Sequence, residues 1–203
     1  TELSTLKDLI RSAKDCLNSE TDAKVDFLLE RLTELKRKEN NPELKFLIFT
    51  EFTATQFMLK KILEERGGYN CEYINGSMEF EQRVEALKNF KENAQILIST
   101  DAAGESLNMQ FAYVVINYDM PWNPMVVEQR IGRVDRIGQS KNVLALNLLL
   151  DNSIDKRVYE VVEIKLNQIM NELGIDKTSD VLDSTLERES INRLYLTSLL
   201  SPE

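Results

Sequence analysis

Lys45-Phe46-Leu47-Ile48-Phe49-Thr50 places four consecutive apolar residues between a lysine and a threonine. The run is rich in β-favouring residues and too short for a helix, and Asn40-Asn41-Pro42 punctuates the chain just before it. A strand with no polar alternation is one that expects cover on both faces, as in a parallel sheet.

The downstream sequence repeats this pattern. Residues 53–66 read as a helix ending at Gly67-Gly68, and Cys71-Glu72-Tyr73-Ile74 reads as the next strand, followed by the turn Asn75-Gly76-Ser77. Residues 79–91 read as a helix with Val84, Leu87 and Phe90 on its apolar side. Gln95–Thr100, Tyr113–Tyr118 and Val143–Leu150 complete five strand readings. Strands alternating with helices imply an α/β fold: a mainly parallel sheet between helical layers, joined by right-handed crossovers.

The flanks are helical in pattern. Before the first strand, Leu3, Leu6, Leu9, Ile10, Ala13 and Leu17 keep a helical period, and Val25, Phe27, Leu28, Leu29, Leu32 and Leu35 do so after a cap at Ser19 or Thr21. After the last strand, Asp151-Asn152-Ser153 caps a long helix running to Gly174, and shorter helices follow over 178–200. The expected organisation is a helical extension (1–40), an α/β domain (41–152) and C-terminal helices (153–203).

The composition is that of a water-compatible globular chain, with 42% hydrophobic and 29% charged residues among 203. No apolar run approaches membrane-spanning length, and no N-terminal leader pattern is visible. Thr1 is not a natural start, so the chain reads as an excised or processed piece. The sequence has 0 histidines, which removes histidine acid–base catalysis and histidine metal ligation. Cys16 and Cys71 match no metal or disulfide spacing and read as thiols in a reducing compartment. A net charge of −9 argues against nonspecific nucleic-acid binding by the whole surface, but a local basic stripe can still hold phosphates.

Such a stripe occurs at Asn123–Gln139. Asn123 can cap, Pro124 suits the first helical position, and Gly138 supplies a left-handed stop. At about 100° per residue, Gln129, Arg133 and Arg136 share one face, opposite Val127, Ile131 and Val134. Two guanidinium forks about a turn apart suit a polyanion. The competing reading is a solvated basic helix end.

In a parallel α/β sheet, ligands bind beyond the carboxyl ends of the strands. Those ends carry Thr50-Glu51, Gly76-Ser77, Thr100–Asn108 and Asp119–Asn123, turns whose hydroxyls and amides fit phosphate contacts. No phosphate-cradling G-x-x-x-x-G-K-[ST] loop occurs, and no acidic pair follows a strand as a magnesium site requires. Arginines without the rest of a phosphoryl-transfer site suggest fingers supplied to a nucleotide held elsewhere.

The motifs FLIFTEF (46–52), YINGS (73–77), STDAAGESLN (99–108), NYDMPWNP (117–124) and EQRIGRVDRIGQ (128–139) carry a family resemblance. From about Lys24 to about Lys165 the chain resembles the C-terminal RecA-like lobe of superfamily 2 helicases, in the SNF2 group of ATP-dependent DNA translocases. Its wording is nearer to bacterial and archaeal, RapA-like members than to chromatin remodellers. The resemblance implies a RecA-like α/β/α sandwich acting as half of a two-lobe motor. An N-terminal RecA-like lobe would hold ATP and Mg2+, and this lobe would close over the nucleotide while gripping double-stranded DNA.

Residue by residue, the resemblance implies arginine fingers at Arg133 and Arg136 with Gln129 beside them, and a nucleotide-side turn at Gly104, Glu105 and Asn108. It implies backbone contacts to DNA from Thr50, Ser77 and Thr100. It also implies RNA polymerase or another DNA-bound complex as a partner, and a cytoplasmic, nucleoid-associated, prokaryotic setting without a membrane. Ser106 departs from the glycine usual in G-E-G-L-N, and a positive φ there would displace the turn. Asp101 is read as orienting that turn. Trp122 buttresses the arginine helix or stacks on a base, and the Ser153–Leu173 helix is either plain packing or the family's brace. The alternative function is a non-catalytic nucleic-acid or protein interaction module that keeps the helicase fold.

Overall fold

The computed structural model describes residues 2–17, 22–101, 109–121, 124–150, 156, 159 and 160. The chain divides into two compact units, Thr1–Asn40 and Asn41–Glu203.

The first unit contains α1 (Glu2–Leu17) and α2 (Ala23–Lys38). The cap of α2 is Asp22, one residue beyond the expected Thr21: its carboxylate accepts from Lys24 N at 2.9 Å and Val25 N at 3.2 Å. This satisfies two of the N–H groups that a helix start leaves without partners. Val25, Leu28, Leu32 and Leu35 form its buried stripe. The helix ends at the expected punctuation, where Asn40 takes a positive φ of 47°. Leu3, Leu6, Leu9 and Ile10 of α1 are exposed.

The second unit alternates β1 (Phe46–Phe49), α3 (Thr53–Glu65), β2 (Cys71–Ile74), α4 (Phe80–Glu92), β3 (Ile96–Ser99), β4 (Val114–Asn117), α5 (Pro124–Ile131) and β5 (Leu144–Asn147). The five strands pair in the order β2-β3-β1-β4-β5, every pair parallel. β1, at the centre, is buried along its whole length, as its unbroken apolar run demands. Its register sets Phe49 beside Ser99 on one side and Asn117 on the other.

The crossover from β2 through α4 to β3 runs back across the sheet relative to the crossover from β1 through α3 to β2. With right-handed connections this places α3 and α4 on opposite faces. The α4 face holds a core of Leu47, Phe49, Ala86, Phe90, Leu97, Met109, Val115 and Val134. Here Ala86 and Phe90 are the buried α4 positions and Val84 is exposed, so the apolar side lies slightly off the expected one. α4 starts at a capping box, with Glu79 N donating to Gln82 Oε1 at 2.9 Å. Lys45 holds its other end by donating to Phe90 O and Ala94 O, each at 2.8 Å. Burial lowers the Lys45 pKa, and the nearby Glu43 carboxylate partly opposes this. The expected helices after residue 153 lie outside the described residues apart from positions 156, 159 and 160, which are helical. Among the described residues no helix is long and apolar enough to cross a membrane.

Candidate functional site

The carboxyl ends of the strands gather a polar cluster centred on Arg130, whose side chain is 2% exposed. Its guanidinium grips Asp101, beyond β3, in a fork: Nε donates to Oδ1 at 2.6 Å and Nη2 to Oδ2 at 2.7 Å. Nη1 donates to Asn117 Oδ1 and to Asp119 O, each at 3.0 Å. The cation also lies over the Phe49 ring, 5.3 Å from its centroid. Asn117 donates onward to Asn147 Oδ1 at 2.7 Å, and Asp119 Oδ2 accepts from the Thr50 hydroxyl and from Glu51 N. Side chains from β4, β5 and α5, together with the residues just past β1, β3 and β4, therefore share one network.

Sequence reasoning missed Arg130. Its helical position relative to Val127 and Val134 was the available signal, since a residue between the packed positions of an amphipathic helix turns inward. Asp101, read from the sequence as orienting its turn, has its carboxylate held by this buried guanidinium, and the turn itself, 102–108, lies outside the described residues.

The arginine segment is also built differently from the continuous helix expected over 123–139. α5 ends at Ile131, with Gly132 N donating to Glu128 O at 2.8 Å as its last full turn. The chain then tightens: Arg133 N donates to Arg130 O at 3.2 Å and Val134 N to Ile131 O at 3.0 Å. Val134 is drawn fully into the core. Arg133 and Arg136 are thus carried by a turn and not by one face of a helix. Gln129 and Arg136 are exposed and Arg133 is half-buried. Arg136 Nε donates to Gly132 O at 3.1 Å, which folds the side chain back along the turn. Gly138 does take a left-handed φ, +101°, but it serves the turn after the helix and not the helix end.

Thr50, Ser77 and Thr100 lie beyond the carboxyl ends of β1, β2 and β3, three strands adjacent in the sheet. Thr50 is buried with its hydroxyl committed to Asp119, and Thr100 is buried. Ser77 is exposed, and its hydroxyl donates to Asn75 Oδ1 at 2.7 Å. Asn75 is itself anchored by buried Gln56, which accepts from it at 2.9 Å and donates to Ile74 O at 3.0 Å and Ile98 O at 2.8 Å. The Arg83 guanidinium closes the same turn, donating to Met78 O at 2.9 Å and Gly76 O at 3.1 Å. Gly104, Glu105, Ser106, Asn108, Trp122 and Asn123 lie outside the described residues. Among the described residues no group of three or more His, Cys, Asp or Glu side chains is placed to hold a metal ion.

A five-stranded parallel sheet with this cluster at its carboxyl edge is the RecA-like fold of a helicase C-terminal lobe. The model of the helicase conserved C-terminal domain matches residues 23–138, and the chain belongs to that family. It is similar to the uncharacterized ATP-dependent helicase YqhH of Bacillus subtilis (strain 168), 33% identical over 175 residues that cover 77% of this chain and 31% of the relative. It is also similar to the RNA polymerase-associated protein RapA of Vibrio parahaemolyticus, 36% identical over 125 residues, covering 60% and 12% respectively. The chain therefore spans less than a third of the length of these curated relatives. Among solved structures, the C-terminal part of the Fun30 ATPase domain shares the fold, with a TM-score of 0.63 at 24% identity over 79% of this chain and 53% of that one. Family and relatives agree with the SNF2-type, RapA-like resemblance of the motifs.

Proposed function

We propose that this chain is the second motor lobe of an SNF2-type, ATP-dependent double-stranded DNA translocase. ATP and Mg2+ sit on an N-terminal RecA-like lobe of the same protein, and Arg133 and Arg136 meet the γ-phosphate when the lobes close, with Gln129 beside them. The observation that carries this reading is the division of labour among three arginines. Arg130 is buried and paired with Asp101, whereas on the turn after α5 Arg133 is half-buried and Arg136 is exposed. A merely solvated basic segment has no reason to bury one of its three guanidiniums.

Gly104, Glu105 and Asn108 then lie on the nucleotide side, and the edge formed by Thr50, Ser77 and Thr100 follows the DNA backbone. Ser77 offers its side chain there; buried Thr50 and Thr100 contribute through the turns they shape. RNA polymerase or another DNA-bound complex is the macromolecular partner, and the setting is cytoplasmic and nucleoid-associated.

The test is Arg136→Ala in the full-length protein. DNA-stimulated ATP hydrolysis should fall by roughly 10³–10⁵, about 4–7 kcal/mol of barrier, with DNA affinity nearly unchanged. Equal loss of hydrolysis and DNA binding would make the segment a DNA contact instead, and ATP turnover by the 203-residue chain alone would overturn the shared site.

A further inference from the structure

The turn that carries Arg133 and Arg136 is fastened from below by a side chain outside the proposed nucleotide contacts. Gln139 Nε2 shares its two N–H groups among three main-chain carbonyls within hydrogen-bond distance: Gln110 O at 3.0 Å, Ala112 O at 3.1 Å and Val134 O at 3.1 Å. Its Oε1 accepts from Lys141 N at 3.0 Å, so both ends of the amide are engaged. Gln110 answers in the other direction, its Nε2 donating to Ile137 O at 2.8 Å. Met109 N adds a main-chain bond to Arg133 O at 3.3 Å. The left-handed Gly138 reverses the chain so that Gln139 turns back beneath the residues it follows.

Two segments are therefore sewn together. One is 109–112, which directly follows residues 102–108; the other is 133–137, which holds both arginines. The stitches fall on the carbonyls of residues 133, 134 and 137, so they bracket Arg136 on either side. Met109, Ala112 and Val134 are buried in one core cluster beneath them.

We infer that Gln139, with Gln110, is a positioning residue for ATP hydrolysis: it sets where Arg136 stands and ties that placement to the segment following residues 102–108. Among the described residues its amide makes main-chain bonds only, so it acts through the arginine turn. The inference rests on the finger reading above.

The experiment uses the full-length protein with Gln139→Met, which keeps the side-chain length and removes the amide, and Gln110→Met, which removes a single stitch. A misplacement of about 1 Å costs on the order of 10²-fold in rate. Gln139→Met should lower kcat of DNA-stimulated ATP hydrolysis by about that factor, leaving KM for ATP and DNA affinity within about threefold. Gln110→Met should lower kcat less, in the same pattern, and it carries the test if Gln139→Met fails to fold. In an Arg136→Ala background, followed by single-turnover hydrolysis, Gln139→Met should add almost nothing, because residues acting as a unit are not additive. Unchanged kcat in both variants, or a loss that multiplies with that of Arg136→Ala, overturns the positioning role while the finger reading stands. Full activity of Arg136→Ala alone removes the finger reading and this inference with it.

Discussion

Replacing Arg130 by methionine keeps most of the apolar stem and deletes a guanidinium with four hydrogen bonds, two of them the fork to Asp101. Removing one partner of a buried ion pair costs about 3–5 kcal/mol, since the other charge is left uncompensated. Here the Asp101 side chain keeps 38% of its surface exposed, so water can recover part of its solvation. Asn117 Oδ1 loses its donor in a fully buried setting, at about 1–3 kcal/mol for a buried acceptor, and this overlaps with the first figure and is not added to it. The net expectation is a loss near the lower end, about 3 kcal/mol. For a chain of this size that is a Tm drop of roughly 6–12 °C. Urea unfolding of the 203-residue chain followed by far-ultraviolet circular dichroism measures it directly. The Arg130→Met, Asp101→Ala double variant should be less destabilised than the sum of the single changes, because it strands no charge. A loss below about 1 kcal/mol for Arg130→Met, the range of an exposed pair, or strict additivity in the double variant, would refute the claim that this pair holds the strand ends together.

Two further outcomes are expected. Ser77→Ala should weaken DNA binding by the full-length protein by about 1 kcal/mol, roughly fivefold, to the same extent for every DNA sequence, and a changed base preference in a binding array would contradict a phosphate contact. The buried Cys71 thiol is pushed up to about 12 from 9.0 by burial and next by the Glu64 carboxylate, with Glu72 adding to the rise and Lys60 opposing it. The folded chain thus keeps a proton that the unfolded chain releases, so this thiol's contribution to stability is intact below pH 9 and is lost as pH rises from 9 to about 12. In a Cys16→Ser chain, a disulfide reagent at pH 8 should label the native thiol far more slowly than the urea-unfolded one, and equal rates would refute its burial.

The alternation of apolar runs with helical periods was enough, read along the chain, to specify parallel strands covered on both faces. Local chemistry decides such features: Phe46–Phe49 has no polar position to turn outward, and Asn40-Asn41-Pro42 cannot continue a helix. The motifs carried the family for the same reason, as each lies within one short segment. The order β2-β3-β1-β4-β5 was not legible, because pairing joins strands separated by up to 68 residues, as Phe46 with Val114. Nor was the end of α5 at Ile131: helical periodicity continues through Val134 and Arg136, but Val134 is taken into the core and Gln139 holds the carbonyls of a turn. Arg130 and Arg133 look alike in sequence, three residues apart on a basic stretch. Only the tertiary structure separates them, because Asp101 from beyond β3 and Asn117 from β4 surround the Arg130 guanidinium and bury it, while Arg133 is only half-buried.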